Sequence, residues 1–268
     1  MIGAVLYRLR AMNSCLLPLH SGRLMHGAFF QMLRDFSPEV SAVVHEEMNI
    51  KPFTVSELNP QEKLRRKGNF YQVRQGDLFY WRITALNDVV LRVVLEARAG
   101  RRIRAGRLDL QLESLVADGS HDTGVVDEEE LVSGAFSVED FREICFDFVS
   151  PVSFRVNNKD YPMPRPELVF SSLADKWTQA GMPGAVDRAV IRELAQNIYP
   201  QRWEGRTERV FFDANRGMLS FRGHFAYDLS DVPKEEKPIF LMLSQFAAFS
   251  GTGRLTGQGM GQTRAAHH

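Results

Sequence analysis

The chain has 268 residues, of which 44% are hydrophobic, enough for two domains that each have a core. Its two cysteines exclude a disulfide framework and favour a reducing, cytoplasmic location. The longest apolar run, residues 239–249, is too short to span a bilayer, so we expect no membrane partner. The formal net charge of zero conceals an acidic segment between two basic parts, because residues 111–147 carry 1 Lys/Arg against 11 Asp/Glu.

The first half of the chain predicts the element order β-α-β-β-α-β. Ser21 and Asn87 are suitable N-caps for its two longer helices. A basic loop at residues 63–68 separates its second and third strands. Hydrophobic periodicity predicts strands at residues 2–10, 53–58, 77–86 and 101–116, and helices at 22–35, 38–46 and 87–99.

The second half predicts the same order after an acidic connector at residues 118–133. A turn at residues 214–217 joins two of its strands. We expect strands at residues 144–154, 207–213, 218–229 and 257–264, and helices at 167–180, 185–197 and from Pro233 onwards. The sequence therefore predicts an α+β fold of two tandem ferredoxin-like (βαββαβ) domains, residues 1–136 and 137–268.

The tail is unusually rich in glycine, since five of the 20 glycines fall within residues 251–261, here called the glycine-rich segment. Glycine permits a left-handed backbone, and successive N–H groups in such a loop can form a nest for phosphate oxygens. The segment follows a predicted helix and lacks Gly-Lys-Ser/Thr, which excludes a dinucleotide fingerprint and a Walker loop. A flexible tail is the alternative interpretation.

Three features together resemble a known family. They are the doubled element order, the tail sequence FSGTGRLTGQGMGQ, and FVSPVSFR followed by PMPRPELVFSSLADKW. They resemble the CRISPR-associated endoribonucleases of the RAMP superfamily, which process precursor CRISPR RNA, and the resemblance covers nearly the whole chain. It implies cleavage of CRISPR repeat RNA without metal or cofactor. The 2′-hydroxyl would attack the adjacent phosphorus and leave a 2′,3′-cyclic phosphate.

The resemblance also implies catalytic residues. In similar members a histidine follows the first helix, with a lysine six residues later and then Phe-Thr, a pattern that here falls on His45 and Lys51. We therefore expect His45 to be the general acid or base and Lys51 to stabilise charge on the phosphate. His26, on the first helix, is the alternative. Phe29 and Phe30 stand where some members carry a tyrosine, so a second acid/base group is not identified.

Basic residues and the glycines are the candidates for RNA binding. His20 ranks low because it has no special neighbour in the sequence, and no spacing of His, Cys, Asp or Glu predicts a metal site. The expected RNA-binding residues are Arg23, Arg65, Arg66, Lys67, Gly251, Gly253, Arg254, Gly257, Gly259 and Gly261.

Two other functions stay open at this stage. One is a non-catalytic subunit of a CRISPR effector complex that binds repeat RNA without cutting it. The other is an unrelated ferredoxin-like enzyme that binds a small nucleotide at the glycine-rich segment. CRISPR repeat RNA is the expected partner. Effector-complex subunits and a second copy of the chain, as a homodimer, are further partners that the resemblance allows.

Overall fold

The computed structural model describes residues 1–46, 51–212 and 217–268, and the chain divides into two compact units. The first unit comprises Met1–Val125 with Gly257–Gly259, and the second comprises Val126–Thr256 with Met260–His268. The domain boundary expected between residues 136 and 137 stays a prediction, while the two units divide between residues 125 and 126. No helix among the described residues is both long enough and apolar enough to cross a bilayer.

The described part of the first unit combines strands with three helices. Its strands are β1 (Ile2–Ala11), β2 (Cys15–Pro18), β3 (Phe53–Val55), β4 (Asn59–Pro60), β5 (Arg66–Lys67), β6 (Phe70–Val73), β7 (Leu78–Ala85), β8 (Arg102–Ala105), β9 (Leu108–Val116) and β10 (Gly124–Val126). Its helices are α1 (Gly22–Phe36), α2 (Pro38–Glu46) and α3 (Asp88–Leu95).

The main sheet of the first unit has the order β3-β7-β1-β9-β8, with antiparallel neighbours. The chain visits β1, α1, β3, β7, α3 and β9 in turn, so the helices connect strands that are not adjacent in the sheet. This is the ferredoxin-like arrangement, and it confirms the order predicted for the first half.

Helix α1 packs its hydrophobic face on this sheet. Phe29 on this face is fully buried, and its ring centroid lies 4.5 Å from that of Phe53 on β3. Tyr7 and Trp81, opposite each other on β1 and β7, continue the core with ring centroids 5.8 Å apart. Burial of such aromatic surface, together with the aliphatic residues of the same core, stabilises the first unit.

The second unit repeats this plan. Its strands are β11 (Glu143–Val152), β12 (Phe154–Val156), β13 (Lys159–Tyr161), β14 (Tyr199–Phe211), β15 (Gly217–Asp228) and β16 (Thr263–His267). Its helices are α4 (Glu128–Phe136), α5 (Pro166–Gln179), α6 (Arg188–Leu194) and α7 (Lys237–Ser250).

The sheet of the second unit has the order β14-β15-β11-β16, again with antiparallel neighbours. Phe170 of α5 connects the two helices to the sheet, because its ring lies 4.9 Å from Phe240 of α7 and 5.7 Å from Phe146 of β11. Each half thus has a ferredoxin-like fold, as predicted for two tandem domains.

Several predicted elements were wrong in detail. Residues 101–116 form the hairpin β8–β9 rather than one strand, because Gly106 turns the chain with φ +63°. The acidic connector is partly ordered as β10 and α4. Asp127 caps α4 by accepting hydrogen bonds from the N–H groups of Glu129 and Glu130, and acidic residues in a first turn suit the helix dipole.

The predicted ends of other elements also change. Helix α7 begins at Lys237 rather than Pro233, and the last strand begins at Thr263 rather than residue 257. Residues 256–258 instead form a short 3₁₀ turn, which interrupts any strand there. The turn predicted at residues 214–217 falls largely outside the described residues.

Candidate active site

The first stretch of the glycine-rich segment, residues 251–254, is anchored in the second unit. Its glycines have left-handed φ values of +62° at Gly251 and +71° at Gly253, which a side chain would strain. The bonds are Gly251 N to Ala247 O at 2.9 Å, Thr252 N to Gly261 O at 2.8 Å, Gly253 N to Ser172 Oγ at 3.1 Å, and Arg254 N to Ser153 O at 3.0 Å. These amides therefore bind protein acceptors, as does Gly261 N, which donates to Pro151 O at 2.8 Å.

A buried lysine holds the start of the segment. Lys176 of α5 is 4% exposed, and its Nζ donates to the carbonyls of Ser250 at 3.1 Å and Gly251 at 2.8 Å. It also lies 3.4 Å from Thr256 Oγ1. Burial lowers the pKa of Lys176 from 10.5 to about 7. Sequence reasoning missed this residue, although a lysine within an otherwise apolar helical face was the available signal.

The middle stretch, residues 257–259, belongs to the first unit and packs on the start of α1. A Cβ on Gly22 would lie 2.0 Å from the carbonyl oxygen of Gln258 and 2.8 Å from the Cα of Gly259. Glycine at position 22 is therefore required by a close backbone approach. Helix α1 and the middle stretch come together within one compact unit.

His26 is the imidazole that this packing brings to the segment. Its Nδ1 lies 2.6 Å from the carbonyl oxygen of Gly257, and its ring is 4.9 Å from Phe30 and 5.7 Å from Phe53. A carbonyl only accepts, so Nδ1 carries the hydrogen and Nε2 is the acceptor of a neutral ring. The ring is half-buried, and its tautomer and orientation are set by these neighbours.

A second imidazole lies at the same place, and sequence reasoning ranked it low. His20 Nδ1 is 2.9 Å from Glu57 Oε1, and the two side chains are 24% and 17% exposed. Cγ of Glu57 would lie 3.1 Å from a Cβ on Gly259. Glu57 is 37 residues from His20 in the chain, so no pattern of neighbouring residues predicted this pair.

The resemblance-based catalytic residues are only partly described. Position 45 lies in α2, but the side chain of His45 is outside the described residues. Lys51 Nζ donates to the carbonyl of Val44 at 2.8 Å, which ties this lysine to the C-terminal turn of α2. Partial burial lowers the pKa of Lys51.

The basic candidates fall in three places. Arg23 is exposed on α1, one turn before His26 and on the same side of the helix. Arg254 forms an ion pair with Asp160 at 2.9 Å. Arg65, Arg66 and Lys67 are exposed around β5, beside a cavity of about 550 Å³, and the Arg66 guanidinium lies 5.5 Å from the centre of the Tyr71 ring.

Among the described residues, one group of potential metal ligands lies in the second unit, and no sequence spacing indicated it. Single ligand atoms of Glu143, Cys145 and His268 lie within 4.8 Å of one another. The Glu143 carboxylate is already paired with Arg202 at 2.6 Å, which compensates its charge. We therefore assign no metal to these residues, and the expectation that the site uses no metal stays a prediction.

Two family models match the chain, one in each half. The CRISPR Cas6 N-terminal domain matches residues 6–125, and the CRISPR-associated endoribonuclease Cas6 matches residues 146–263. Among curated proteins, no sequence matches.

Similar solved structures include complexes of two Cas6 proteins with their products. The product complex of Thermus thermophilus Cas6 (TTHB231) is 29% identical with a TM-score of 0.79, and the match covers 99% of each chain. The Cas6 (TTHA0078) product complex is 26% identical with a TM-score of 0.75, covering 99% of this chain and 100% of that one. A RAMP protein that binds different RNA substrates shares the fold at 14% identity and a TM-score of 0.63, over 98% of this chain and 99% of that one.

Proposed function

Since this chain belongs to the family of the CRISPR-associated endoribonuclease Cas6, we propose that it cleaves CRISPR repeat RNA at one phosphodiester without a metal ion. The 2′-hydroxyl attacks the neighbouring phosphorus, the downstream 5′-oxygen leaves, and a 2′,3′-cyclic phosphate remains. The observation that best supports this proposal is the 2.6 Å contact between His26 Nδ1 and the Gly257 carbonyl. It brings an imidazole and the glycine-rich segment together.

The reaction needs a group that removes a proton from the 2′-hydroxyl and a group that protonates the leaving oxygen. For this acid–base chemistry we propose two candidate imidazoles, His45 from the family pattern and His26 from its contact with Gly257. Lys51 would supply positive charge to the phosphate, as a partly desolvated cation beside the end of α2.

RNA recognition is assigned to the glycine-rich segment, to Arg23 and Arg254, and to the basic surface around β5. Gly257 and Gly259 would allow the RNA backbone to approach closely, with Arg23 as a cation of the same unit. Arg254 would bind RNA from the second unit. Gly251, Gly253 and Gly261 would act by shaping the segment, because their amides already bind protein acceptors.

Arg65, Arg66 and Lys67 would contact RNA phosphates. The proposal further includes a cytoplasmic location, which the low cysteine content supports, and transfer of the product to CRISPR effector-complex subunits.

The test is cleavage of a panel of labelled CRISPR repeat RNAs in excess chelator. We expect cutting at one bond, a cyclic phosphate on the upstream product, and no cutting when the nucleotide before that bond is 2′-deoxy. His45→Ala should lower the single-turnover rate by about 10²–10⁴-fold with RNA binding retained. Cutting that needs an added metal, or that persists on the 2′-deoxy RNA, would refute the mechanism. Tight binding with no product would instead identify a non-catalytic RNA-binding subunit.

A further inference from the structure

The His20–Glu57 pair at the start of α1 is not used by the function proposed above. His20 lies two residues before the first residue of α1, and Glu57 follows β3, so two separate segments supply the pair. Its 2.9 Å contact joins an imidazole nitrogen to a carboxylate oxygen, and both side chains are mostly buried but still reachable from solvent. A base held by a carboxylate is the arrangement by which many hydrolytic sites orient an imidazole.

The pair lies at the middle stretch of the glycine-rich segment. Glu57 contacts Gly259, because a Cβ there would lie 3.1 Å from Cγ of Glu57 and 3.5 Å from its backbone N. Ser21 Oγ accepts a hydrogen bond from Leu58 N at 2.8 Å, which holds the segment that carries Glu57 against the start of α1. Residues 257–259 are therefore contacted by His26 at Gly257 and by Glu57, the partner of His20, at Gly259.

The two imidazoles have different partners. An ionised carboxylate only accepts, so Nδ1 of His20 carries the hydrogen and Nε2 is the atom that takes up a proton. Within the described parts of the chain, the His20 ring makes its hydrogen bond through Nδ1 alone. Glu57 compensates the positive charge that appears when Nε2 is protonated, whereas the Gly257 carbonyl that binds His26 is neutral.

We propose that His20, oriented by Glu57, is the general base that activates the 2′-hydroxyl, an inference that rests on the proposed function. Nε2 of His20 removes the 2′-hydroxyl proton while O2′ forms a bond to phosphorus. The bond from phosphorus to O5′ breaks, and O5′ takes a proton from the general acid, another imidazole of the site. One proton is gained by the base and one is lost by the acid, and water then restores both groups.

The test uses two substrates that differ at the leaving atom. One is ordinary repeat RNA, and the other carries sulfur in place of the leaving 5′-oxygen, which departs without a proton. His20→Ala should slow cleavage of both substrates by about 10²–10⁴-fold, because each still needs a base. If His26 or His45 is the general acid, its alanine variant should be slow on the oxygen substrate alone. His224→Ala, on β15, is the matched control and should cleave both substrates like the wild type.

Glu57→Gln provides a second, milder variant. It keeps an oxygen that can accept from Nδ1 but removes the compensating charge, so we expect a rate reduction of about tenfold or more on both substrates. Binding of 2′-deoxy RNA and the unfolding temperature report whether each variant is folded. If His20→Ala does not fold, the cleavage rate of Glu57→Gln alone decides whether the inference holds.

Three results would overturn the inference. They are a His20→Ala rate within about threefold of wild type, rescue of that variant by the sulfur substrate, or a Glu57→Gln rate equal to wild type. In each case the wild type still cleaves, so the proposed function survives. A wild type that cuts no repeat RNA refutes the proposed function itself and removes the inference with it.

Discussion

The two stretches of the glycine-rich segment have different tasks. Residues 251–254 are held by their own amides and by Lys176, so their glycines serve a left-handed backbone inside the second unit. Residues 257–259 pack on α1 in the first unit, where the Gly257 carbonyl meets His26. A glycine cluster that sequence analysis treats as one anion nest thus consists of a structural anchor and a surface beside two imidazoles.

The largest expected effect comes from the stretch beside the imidazoles. His26→Ala should lower the single-turnover cleavage rate by about 10²–10⁴-fold, because the reaction loses one of its proposed proton-transfer groups. The affinity for a 2′-deoxy repeat RNA should change little. A reduction below about tenfold would show that the contact with Gly257 is only structural.

Gly257 and Gly259, in the same stretch, differ in the space around their Cα atoms. Gly259 has φ +90°, and a Cβ there would lie 2.8 Å from the Cα of Gly22, so Gly259→Ala should destabilise the fold by about 1–3 kcal/mol and impair cleavage. Gly257→Ala is the matched control, because its Cβ would meet its nearest neighbours at 3.6 Å, an ordinary contact. Thermal unfolding of both variants provides the measurement. Equal stability of the two would contradict the close approach.

Changes in the anchored stretch, residues 251–254, should alter the free energy of unfolding, and the effect of Lys176 should depend on pH. The pKa of Lys176 falls from 10.5 to about 7 on folding, so between these values the unfolded chain binds more protons. Lys176 therefore contributes a rise in stability as pH increases through this range, and its burial is most unfavourable below pH 7. Lys176→Met lacks this rise and leaves the carbonyls of Ser250 and Gly251 without their donor, which should cost about 1–3 kcal/mol.

Denaturant unfolding at several pH values tests this prediction. The stability difference between wild type and Lys176→Met should widen as pH rises above 7. Lys176→Arg, which keeps the charge at every pH, provides the control and should show no such rise. A difference that is constant with pH would mean that Lys176 keeps its ordinary protonation when buried.

The smallest expected effect concerns the basic surface around β5. Replacing Arg65 and Lys67 with glutamine should weaken RNA binding and reduce the salt slope of the affinity by about one for each phosphate that is no longer neutralised. The cleavage rate at saturating protein should stay close to that of wild type, since these residues are assigned to phosphate binding and not to proton transfer. Affinities measured over a series of salt concentrations test this, and an unchanged slope would remove the surface from the RNA interface.

Local pattern predicted the order of elements well. The apolar face of α1 and the cap at Asn87, whose side chain accepts from Val90 N at 2.9 Å, both follow from residues close in sequence. The hairpin at Gly106 was missed because alternation continues on both sides of its turn. Ser21 precedes α1 as predicted, but its hydroxyl binds Leu58 N instead of capping the helix.

The candidate site was harder to predict because it depends on long-range contacts. The His26–Gly257 contact joins residues 231 positions apart, and no local pattern encodes it. The use of the segment's amides likewise depends on distant acceptors, such as Ser153 O and Ser172 Oγ. Glycine content alone therefore predicted where the chain bends, and the fold decides which backbone groups remain for a ligand.

The most direct test of the account is a structure of the protein bound to a 2′-deoxy repeat RNA. We expect the phosphate at the cleavage position to lie against residues 257–259, within hydrogen-bond reach of an imidazole on the α1 side, either His26 or His20. A phosphate bound elsewhere, with those imidazoles turned away from the RNA, would contradict the account.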